Sequence, residues 1–234
     1  MKITIDSAVF EAFPEAKIGW VIADISAAEK SCSQINKMKR GLKGRLNNIG
    51  ISIDTMMLHP DVSRWREVFS KMRVKPSRHL PSLEDVLRRV FKGELLTDSE
   101  VTNCYNSVSA LNLISIGAFD REKIRGDFVL RFAKAKEKFF PCKLSEEIID
   151  LDIKHIVYSD DEKVDCWLWD HRISRDVAIS ENTKQVLFTI NNAFETEWRS
   201  VEQTITSLSE ELEKIGCEII NSSVVNKKLP SSCI

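Results

Sequence analysis

Residues 99–120 read SEVTNCYNSVSALNLISIGAFD, and this stretch decides the fold. Apolar side chains recur at helical spacing from about Ser99 to Leu113, which predicts a helix. The chain then reaches Gly117-Ala118-Phe119-Asp120, where the glycine indicates a turn or a close approach of two backbone segments. The stretch therefore predicts a helix that leads directly into a sterically constrained segment.

Two more helices are predicted on the N-terminal side of this stretch. Apolar residues repeat at helical spacing from Asp61 to Met72, and Pro76 ends that pattern. A second helix begins at Ser82, where Asp85 three residues later completes an acidic variant of the capping box. Gly93 is a natural C-terminal stop for this helix.

Short runs rich in β-branched residues predict strands on both sides of the helices. The runs are Ile3 to Val9, Ile18 to Ile25, Phe128 to Phe132, Ile153 to Tyr158, Val164 to Leu168 and Val186 to Ile190. An apolar stripe over residues 194–215 predicts a last helix that packs on the domain, with a coiled-coil dimer as the alternative. The elements together predict an α+β fold, with helices packed on mixed or antiparallel β-sheets. Residues 1–234 are expected to form one unit of two closely packed lobes.

The charge balance narrows the range of partners. The chain has 234 residues, with 34 basic and 35 acidic side chains and a net charge of -1. Such a molecule offers nucleic acid no general attraction, so we expect no DNA partner, and any RNA contact must come from a local patch. The run Lys37 to Arg45 carries five cationic side chains, among them Lys39 and Arg40. This run either contacts RNA phosphates or is a solvated helix end or loop.

Several ready-made sites are absent from the sequence. It contains no phosphate-binding P-loop, dinucleotide-binding glycine turn, zinc-protease helix or serine nucleophile elbow. The six cysteines are scattered without a Cys-x-x-Cys pair, and the four histidines lack metal-ligand spacing. We therefore expect reduced thiols, no metal, no cofactor and no ATP-dependent ligation by this chain alone. The lack of a signal-peptide pattern and of about 18 consecutive apolar residues predicts a cytoplasmic protein with no membrane partner.

Three blocks occur in the order and spacing of a known family. They are Pro76-Ser77 with Pro81-Ser82-Leu83-Glu84-Asp85-Val86-Leu87-Arg88-Arg89, then Tyr105-Asn106-Ser107-Val108-Ser109, then Ile116-Gly117-Ala118-Phe119-Asp120. The series continues with Val129-Leu130-Arg131-Phe132-Ala133, Ile156-Val157-Tyr158-Ser159-Asp160 and Trp169 to Thr183. From about Arg64 to Ile190 the chain resembles the B3/B4 domain of the phenylalanyl-tRNA synthetase beta subunit, especially the freestanding relatives of that domain.

The resemblance implies a function in translation quality control. In synthetase-borne members this domain hydrolyses the ester that links a wrongly chosen amino acid, typically tyrosine, to the 3′ end of tRNA. The implied activity is therefore editing of mischarged tRNA in trans, with tRNA or aminoacyl-tRNA as the partner. Such hydrolysis requires a positioned water and stabilisation of the developing oxyanion.

The resemblance also implies which residues form the site. An amino-acid pocket would be lined by Asn106, Ser109, Gly117, Ala118, Phe119, Arg131, Trp169, Arg172 and Thr183. The candidates for catalysis are Asn106, His171 and Arg172. The candidates for contacts with RNA are Arg88, Arg89, Lys39 and Arg40.

The chain departs from the family pattern at positions that matter for catalysis. Synthetase-borne copies commonly carry a histidine immediately before Ala-Phe-Asp, where this chain has Gly117, as freestanding relatives commonly do. The glutamate of synthetase copies has no counterpart here, and Asn103 and Lys154-His155 stand where freestanding relatives carry carboxylates. Hydrolysis can survive these losses, because a hydroxyl of the terminal ribose can assist the water. Three hypotheses remain: a deacylase acting in trans, a non-catalytic RNA-binding module, and a sensor that binds a small molecule such as an amino acid.

Overall fold

The structure, a computed structural model, describes residues 1–28, 33–95, 99–142 and 147–234, apart from the side chains of residues 33–36, 38 and 39. The α-helices are α1 (Ser7–Ala12), α2 (Ser33–Asn48), α3 (Pro60–Lys71), α4 (Ser82–Lys92), α5 (Glu100–Asn112) and α6 (Val201–Glu213). The strands are β1 (Lys2–Ile5), β2 (Lys17–Asp24), β3 (Ser115–Asp120), β4 (Phe128–Phe132), β5 (Lys138–Phe139), β6 (Ile149–Asp150), β7 (Ile156–Ser159), β8 (Val164–Trp167), β9 (Arg172–Ile173), β10 (Gln185–Asn192), β11 (Glu218–Asn226) and β12 (Ser231–Cys233). Two short 3₁₀ helices span Met56–Leu58 and Arg121–Lys123.

The strands form two larger sheets and one two-stranded ribbon. The six-stranded sheet has the order β12-β1-β4-β7-β8-β9, and the four-stranded sheet has the order β11-β2-β10-β3. Strands β1 and β4 run parallel, whereas the other described pairs are antiparallel. Helices combined with mixed and antiparallel sheets confirm the predicted α+β fold.

The four-stranded sheet separates two apolar cores. Val186, Phe188 and Ile190 of β10 join a core with α5 and α6, because alternate side chains of a strand point to opposite faces. Leu187 lies on the other face, in the larger core that the sheet shares with the six-stranded sheet, α3 and α4. The two cores are the physical basis of the two closely packed lobes.

A buried carboxylate fastens α4 to α3. Glu84 is fully buried and accepts hydrogen bonds from Arg66 at 2.6 and 2.7 Å and from Arg88 at 2.8 and 3.0 Å. Burial alone would raise the pKa of Glu84, but the hydrogen bonds from the two arginines outweigh burial and hold the pKa below 4.5. The clamp fixes the position of α4, the helix that also carries Arg89.

The C-terminal helix is shorter than the predicted span of residues 194–215. A capping box centred on Ser200 starts the helix at Val201. The segment before it is held in a non-helical path, because the Asp61 carboxylate accepts the N–H groups of Glu197 at 2.9 and 3.1 Å and of Trp198 at 2.8 Å. The buried side chains of α6 join the core of the domain, which favours the prediction of a packed helix over a coiled coil.

Two local predictions were wrong. Pro81 is the N-cap of α4 and no side chain caps it, so Ser82 and Asp85 do not form a capping box. Val9 lies in α1 instead of a strand, because Asp6 caps a helix there by accepting the N–H of Ala8. Of the two alternatives predicted at Gly117, the turn is excluded, because this residue lies within strand β3.

The part of the chain that the structure describes has three further features. No helix in it is both long and apolar enough to cross a lipid bilayer. Its five cysteines are unpaired thiols. The tail beyond Cys217 forms strands β11 and β12, which pair with β2 and β1 respectively.

We expect Glu84→Ala to destabilise the fold by about 2–3 kcal/mol at pH 7, because Arg66 and Arg88 lose a buried anionic partner while keeping part of their hydration. The pKa of Glu84 is lower in the folded chain than in the unfolded chain, so this stabilisation is present above about pH 4.5 and is lost as the pH falls through the folded pKa. Chemical denaturation at pH 7 and in acid measures both effects.

The matched control is Glu67→Ala, which removes an exposed carboxylate from α3. It should change the free energy of unfolding by less than about 0.5 kcal/mol. Equal losses in the two variants would contradict the clamp.

Candidate functional site

One cleft of about 550 Å³ lies where the two lobes meet at the edge of the four-stranded sheet. Its walls are residues 78–80, the first two turns of α4, one face of α5, strand β3 and the turn that joins β8 to β9. A second, smaller cavity of about 210 Å³ lies beside Trp198 between α5 and α6 and contains none of the predicted site residues. The larger cleft is therefore the candidate site.

The turn between β8 and β9 presents residues 170–172 to the cleft. Leu168 and Trp169 have positive φ angles of 55° and 66°, which cost a non-glycine residue about 1–2 kcal/mol each. Burial of Trp169 offsets this cost, because its ring lies 5.5 Å from Phe13 and 5.6 Å from Trp65 between ring centroids, in edge-on contacts. The core thus holds the turn in a strained conformation, and such strain is typical of functional sites.

Asp170 lies at the floor of the cleft and is 6% exposed. The Ser115 hydroxyl donates a hydrogen bond to Asp170 Oδ2, and Asn191 Nδ2 donates to the same oxygen at 3.3 Å. Ser115 and Asn191 are direct cross-strand neighbours in β3 and β10, so the sheet register places both donors at one point. Burial raises the pKa of Asp170 to about 6, although these hydrogen bonds act in the opposite direction.

His171 follows Asp170 in the turn, and its pKa is shifted in the opposite direction. Burial, followed by the positive charges of Arg172 and His79, lowers the pKa of His171 to about 4. Its ring centroid lies 5.6 Å from that of His79, and His171 Nε2 has no hydrogen-bond partner among the described residues. His171 is therefore neutral at pH 7, and its Nε2 is buried away from the open part of the cleft.

Helix α5 supplies one polar wall. Ser99 caps this helix by accepting the N–H of Thr102 at 3.2 Å. Thr102, Tyr105 and Asn106 lie three and four residues apart, so they share one helix face, and all three line the cleft. Asn106 is 7% exposed and offers both a donor and an acceptor.

The cleft is lined by charges of both signs. Arg78, Arg89 and Arg172 line it together with two carboxylates, Asp85 and Asp170. Arginine binds phosphate and carboxylate groups in a bidentate manner, so an anionic group can bind at the guanidinium side. Within the described residues, no group of three histidine, cysteine, aspartate or glutamate side chains could hold a metal ion.

Five of the sequence-predicted residues line the cleft: Asn106, Gly117, His171, Arg172 and Arg89. Three of them come from α4, α5 and β3, which follow one another along the chain, whereas His171 and Arg172 come from the more distant β8–β9 segment. Gly117 is required by a close approach, since a Cβ at this position would lie 2.9 Å from Thr189 Oγ1.

Six other predicted residues do not line the cleft: Ser109, Ala118, Phe119, Arg131, Trp169 and Thr183. Each is held elsewhere by burial or by a hydrogen bond. Ser109 Oγ donates to the Ile114 carbonyl at 2.7 Å, and Thr183 Oγ1 donates to Asp120 Oδ2 at 2.7 Å. Ala118 faces the core beneath α5 and α6.

The remaining three predicted residues lie in the larger core or at its margin. Phe119 is fully buried against Phe128, with 5.1 Å between ring centroids. Arg131 donates to Glu137 at 2.5 and 2.9 Å and is thereby neutralised. Trp169 is the buried anchor of the β8–β9 turn.

The candidates for RNA contact are dispersed. Arg89 lines the cleft, whereas Arg88 donates to Glu84 and belongs to the α3–α4 clamp. Arg40 is exposed on α2, outside the cleft lining. The Lys39 side chain lies outside the described residues.

Sequence reasoning missed Arg78 and Asp170, which both line the cleft. Trp169 and Arg172 were expected at the pocket, but the single aspartate between them carries no distinguishing pattern. Its position on the floor follows from the stacking of two sheets, which local sequence does not encode.

Comparison with known proteins gives one family match. The family model of the B3/4 domain matches residues 64–214, which is more than half of the chain. Among solved structures, the chain is similar to an N-terminal fragment of the phenylalanyl-tRNA synthetase beta-subunit from Pyrococcus horikoshii, with 13% identity and a TM-score of 0.46. The alignment covers 93% of this chain and 49% of the fragment, so the chain spans about half the length of that structure. No curated protein gives a significant sequence match.

We expect Gly117→Ala to destabilise the fold by about 1–3 kcal/mol, because its Cβ would press on Thr189 Oγ1 and on the Phe119 ring in a packed interior. The control is Gly41→Ala on α2, where a Cβ meets no atom within 4 Å. That change should stabilise by about 0.5–1 kcal/mol through helix propensity. Thermal unfolding of both variants measures the contrast, and a harmless Gly117→Ala would contradict the close approach.

Asp170 and His171 should titrate in inverted order. We expect the Asp170 carboxyl to titrate near pH 6 and the His171 ring near pH 4, because burial disfavours the charged form of each group. Between these values both side chains are uncharged, and at pH 7 only the carboxylate carries charge. Site-resolved NMR titration measures this order, and a His171 pKa near its ordinary 6.5 would show that its ring is solvated.

Proposed function

The chain belongs to the B3/4 domain family, and from this we propose that its cleft binds the aminoacylated 3′ end of a tRNA and hydrolyses the ester of a mischarged amino acid in trans. The observation that carries the proposal is the convergence of Asn106, Gly117 and the turn residues 170–172 on one cleft. These residues belong to separate sequence blocks that resemble the editing domain of the synthetase. A shared ligand explains why the β8–β9 turn meets the α5–β3 segment at one cleft.

The size and charge of the cleft fit this ligand. Pockets for ligands of the size of an aminoacyl nucleoside typically measure about 300–1,000 Å³, and the cleft measures about 550 Å³. The 3′ end of tRNA is a flexible single strand, which proteins bind through cationic and stacking contacts. Arg78, Arg89 and Arg172 supply such contacts locally, which a chain of net charge -1 requires.

For hydrolysis in this cleft, the main task of the protein would be to position the ester and the attacking water. A water attacks the ester carbonyl, the bond to the ribose oxygen breaks, and the products are a free amino acid and a tRNA with a free hydroxyl. Asn106 and Arg172 are donors that can stabilise the oxyanion which forms on the carbonyl oxygen. With a pKa of about 4, His171 is a weak base and its Nε2 is buried, so the proton would pass through a hydroxyl of the terminal ribose.

Binding of tRNA without hydrolysis is the second candidate function. It is favoured by Gly117, which stands where synthetase-borne copies of the domain commonly carry a histidine. The glycine is packed against Thr189, with no room for a side chain. The cleft therefore lacks an imidazole at this position. Its arginines would then contribute to tRNA binding and not to hydrolysis.

The direct test is a panel of mischarged tRNAs, with D-amino acids included, incubated with the full chain. We expect release of amino acid from at least one of them above the rate in buffer. Arg172→Ala and Asn106→Ala should lower that rate by about 100-fold, since each removes an oxyanion donor. The melting temperature should change little, because both groups face the cleft.

The matched control is Arg175→Ala, which removes an exposed arginine that lies over the Phe140 ring outside the cleft. Its rate should equal that of the unmodified chain. Release at the buffer rate, together with tRNA binding that weakens steeply with salt, would favour the second candidate. Absence of both release and binding would refute the proposal.

A further inference from the structure

The Asp170 carboxylate has no counter-ion among the described residues. Its side-chain hydrogen-bond partners, Ser115 and Asn191, are both neutral, and no described ion pair includes it. A buried carboxylate normally pairs with a cation, because removal from water penalises its charged form. The pKa of Asp170, raised by burial to about 6, still lies below 7, so the carboxylate form predominates at pH 7. The cleft therefore contains an uncompensated negative charge at its floor.

The surroundings of Asp170 keep the carboxylate fixed as a hydrogen-bond acceptor. The Tyr158 hydroxyl donates to Asn191 Oδ1, which orients the amide so that Asn191 Nδ2 donates to Asp170 at 3.3 Å and to the Thr189 carbonyl and hydroxyl at 3.2 Å each. Both side-chain donors reach Oδ2. A carboxylate has about four lone-pair sites, so it can accept further donors from a ligand in the cleft.

We infer that Asp170 is the counter-ion for a primary ammonium group on the ligand, so that the cleft selects aminoacyl ends with a free α-amino group. This inference rests on the proposed function, since it takes the ligand to be an amino acid esterified to RNA. The ammonium would lie at the buried floor, while the arginines of the cleft hold phosphates of the terminal nucleotides. N-acylated ends, such as formylated or peptidyl ones, carry no ammonium and would leave the carboxylate buried and unpaired.

The test uses hydrolysis-resistant mimics in which each of the twenty amino acids is joined through an amide to 3′-amino-3′-deoxyadenosine. Each mimic is measured by calorimetry at pH 7.5 with the full chain, beside its N-acetylated counterpart. For the mimic that binds most tightly, we expect acetylation to weaken binding by about ten- to 100-fold, because a charged hydrogen bond is lost. Asp170→Asn should weaken the free-amine mimic by a similar factor and leave the acetylated mimic nearly unchanged.

The matched control is Asp176→Asn, which removes one negative charge from an exposed position outside the cleft. It should preserve the full acetylation effect. Melting temperatures of both variants check folding, and the comparison of the two mimics on the unmodified chain requires no variant at all.

A second arm separates this inference from the proposed function by using amino-acid amides that lack adenosine. One outcome is that these amides bind through Asp170 whereas the adenosine mimics and tRNA do not bind. That outcome would support the ammonium site and refute the editing proposal. If the adenosine mimics bind equally well with and without the acetyl group, the inference is overturned while the proposed function stands. If neither class of probe binds, both are overturned.

Discussion

The structure depends on a polar seam between its two sheets, formed by Tyr158, Asp170, Ser115 and Asn191. Tyr158 belongs to the six-stranded sheet and Asp170 to its β8–β9 turn, whereas the other two residues are cross-strand neighbours in the four-stranded sheet. Each hydrogen bond of the seam joins the two sheets or their margins. Buried polar groups are costly when unsatisfied, so the seam permits few relative positions of the sheets. The cleft opens at the end of this seam, and its floor is therefore set by the packing of the whole domain.

Three independent interactions fix the positions of the cleft walls around the seam. Glu84 ties α4 to α3, which sets the position of Arg89. Gly117 allows β3 to approach Thr189 closely, which brings the edge strand against the cleft. The buried Trp169 ring holds a turn with two positive φ angles, and the three polar residues that follow Trp169 line the cleft. A ligand site with such rigid supports is well suited to positioning a reactive ester.

The local sequence pattern was sufficient to predict the bounds of some elements and insufficient to predict those of others. Helix α5 lies within one residue of its predicted ends, because its cap and apolar repeat are local signals. The start of α6 was wrong because Asp61, more than a hundred residues away, holds the preceding segment out of the helix. Trp169 was expected to line the amino-acid pocket, but tertiary packing buries it. Asp170 acquires its environment only when the two sheets stack, so neither spacing nor composition could reveal it.

In the proposed function, the aminoacyl end of a tRNA binds at the seam and not on the basic surface of α2. A crystal structure of the full chain with a hydrolysis-resistant aminoacyl-adenosine tests this directly. We expect the amino-acid moiety to lie between Asn106 and Asp170, with the sugar directed toward the arginines of the cleft. Ligand bound on α2, with the cleft unoccupied, would contradict the proposed function.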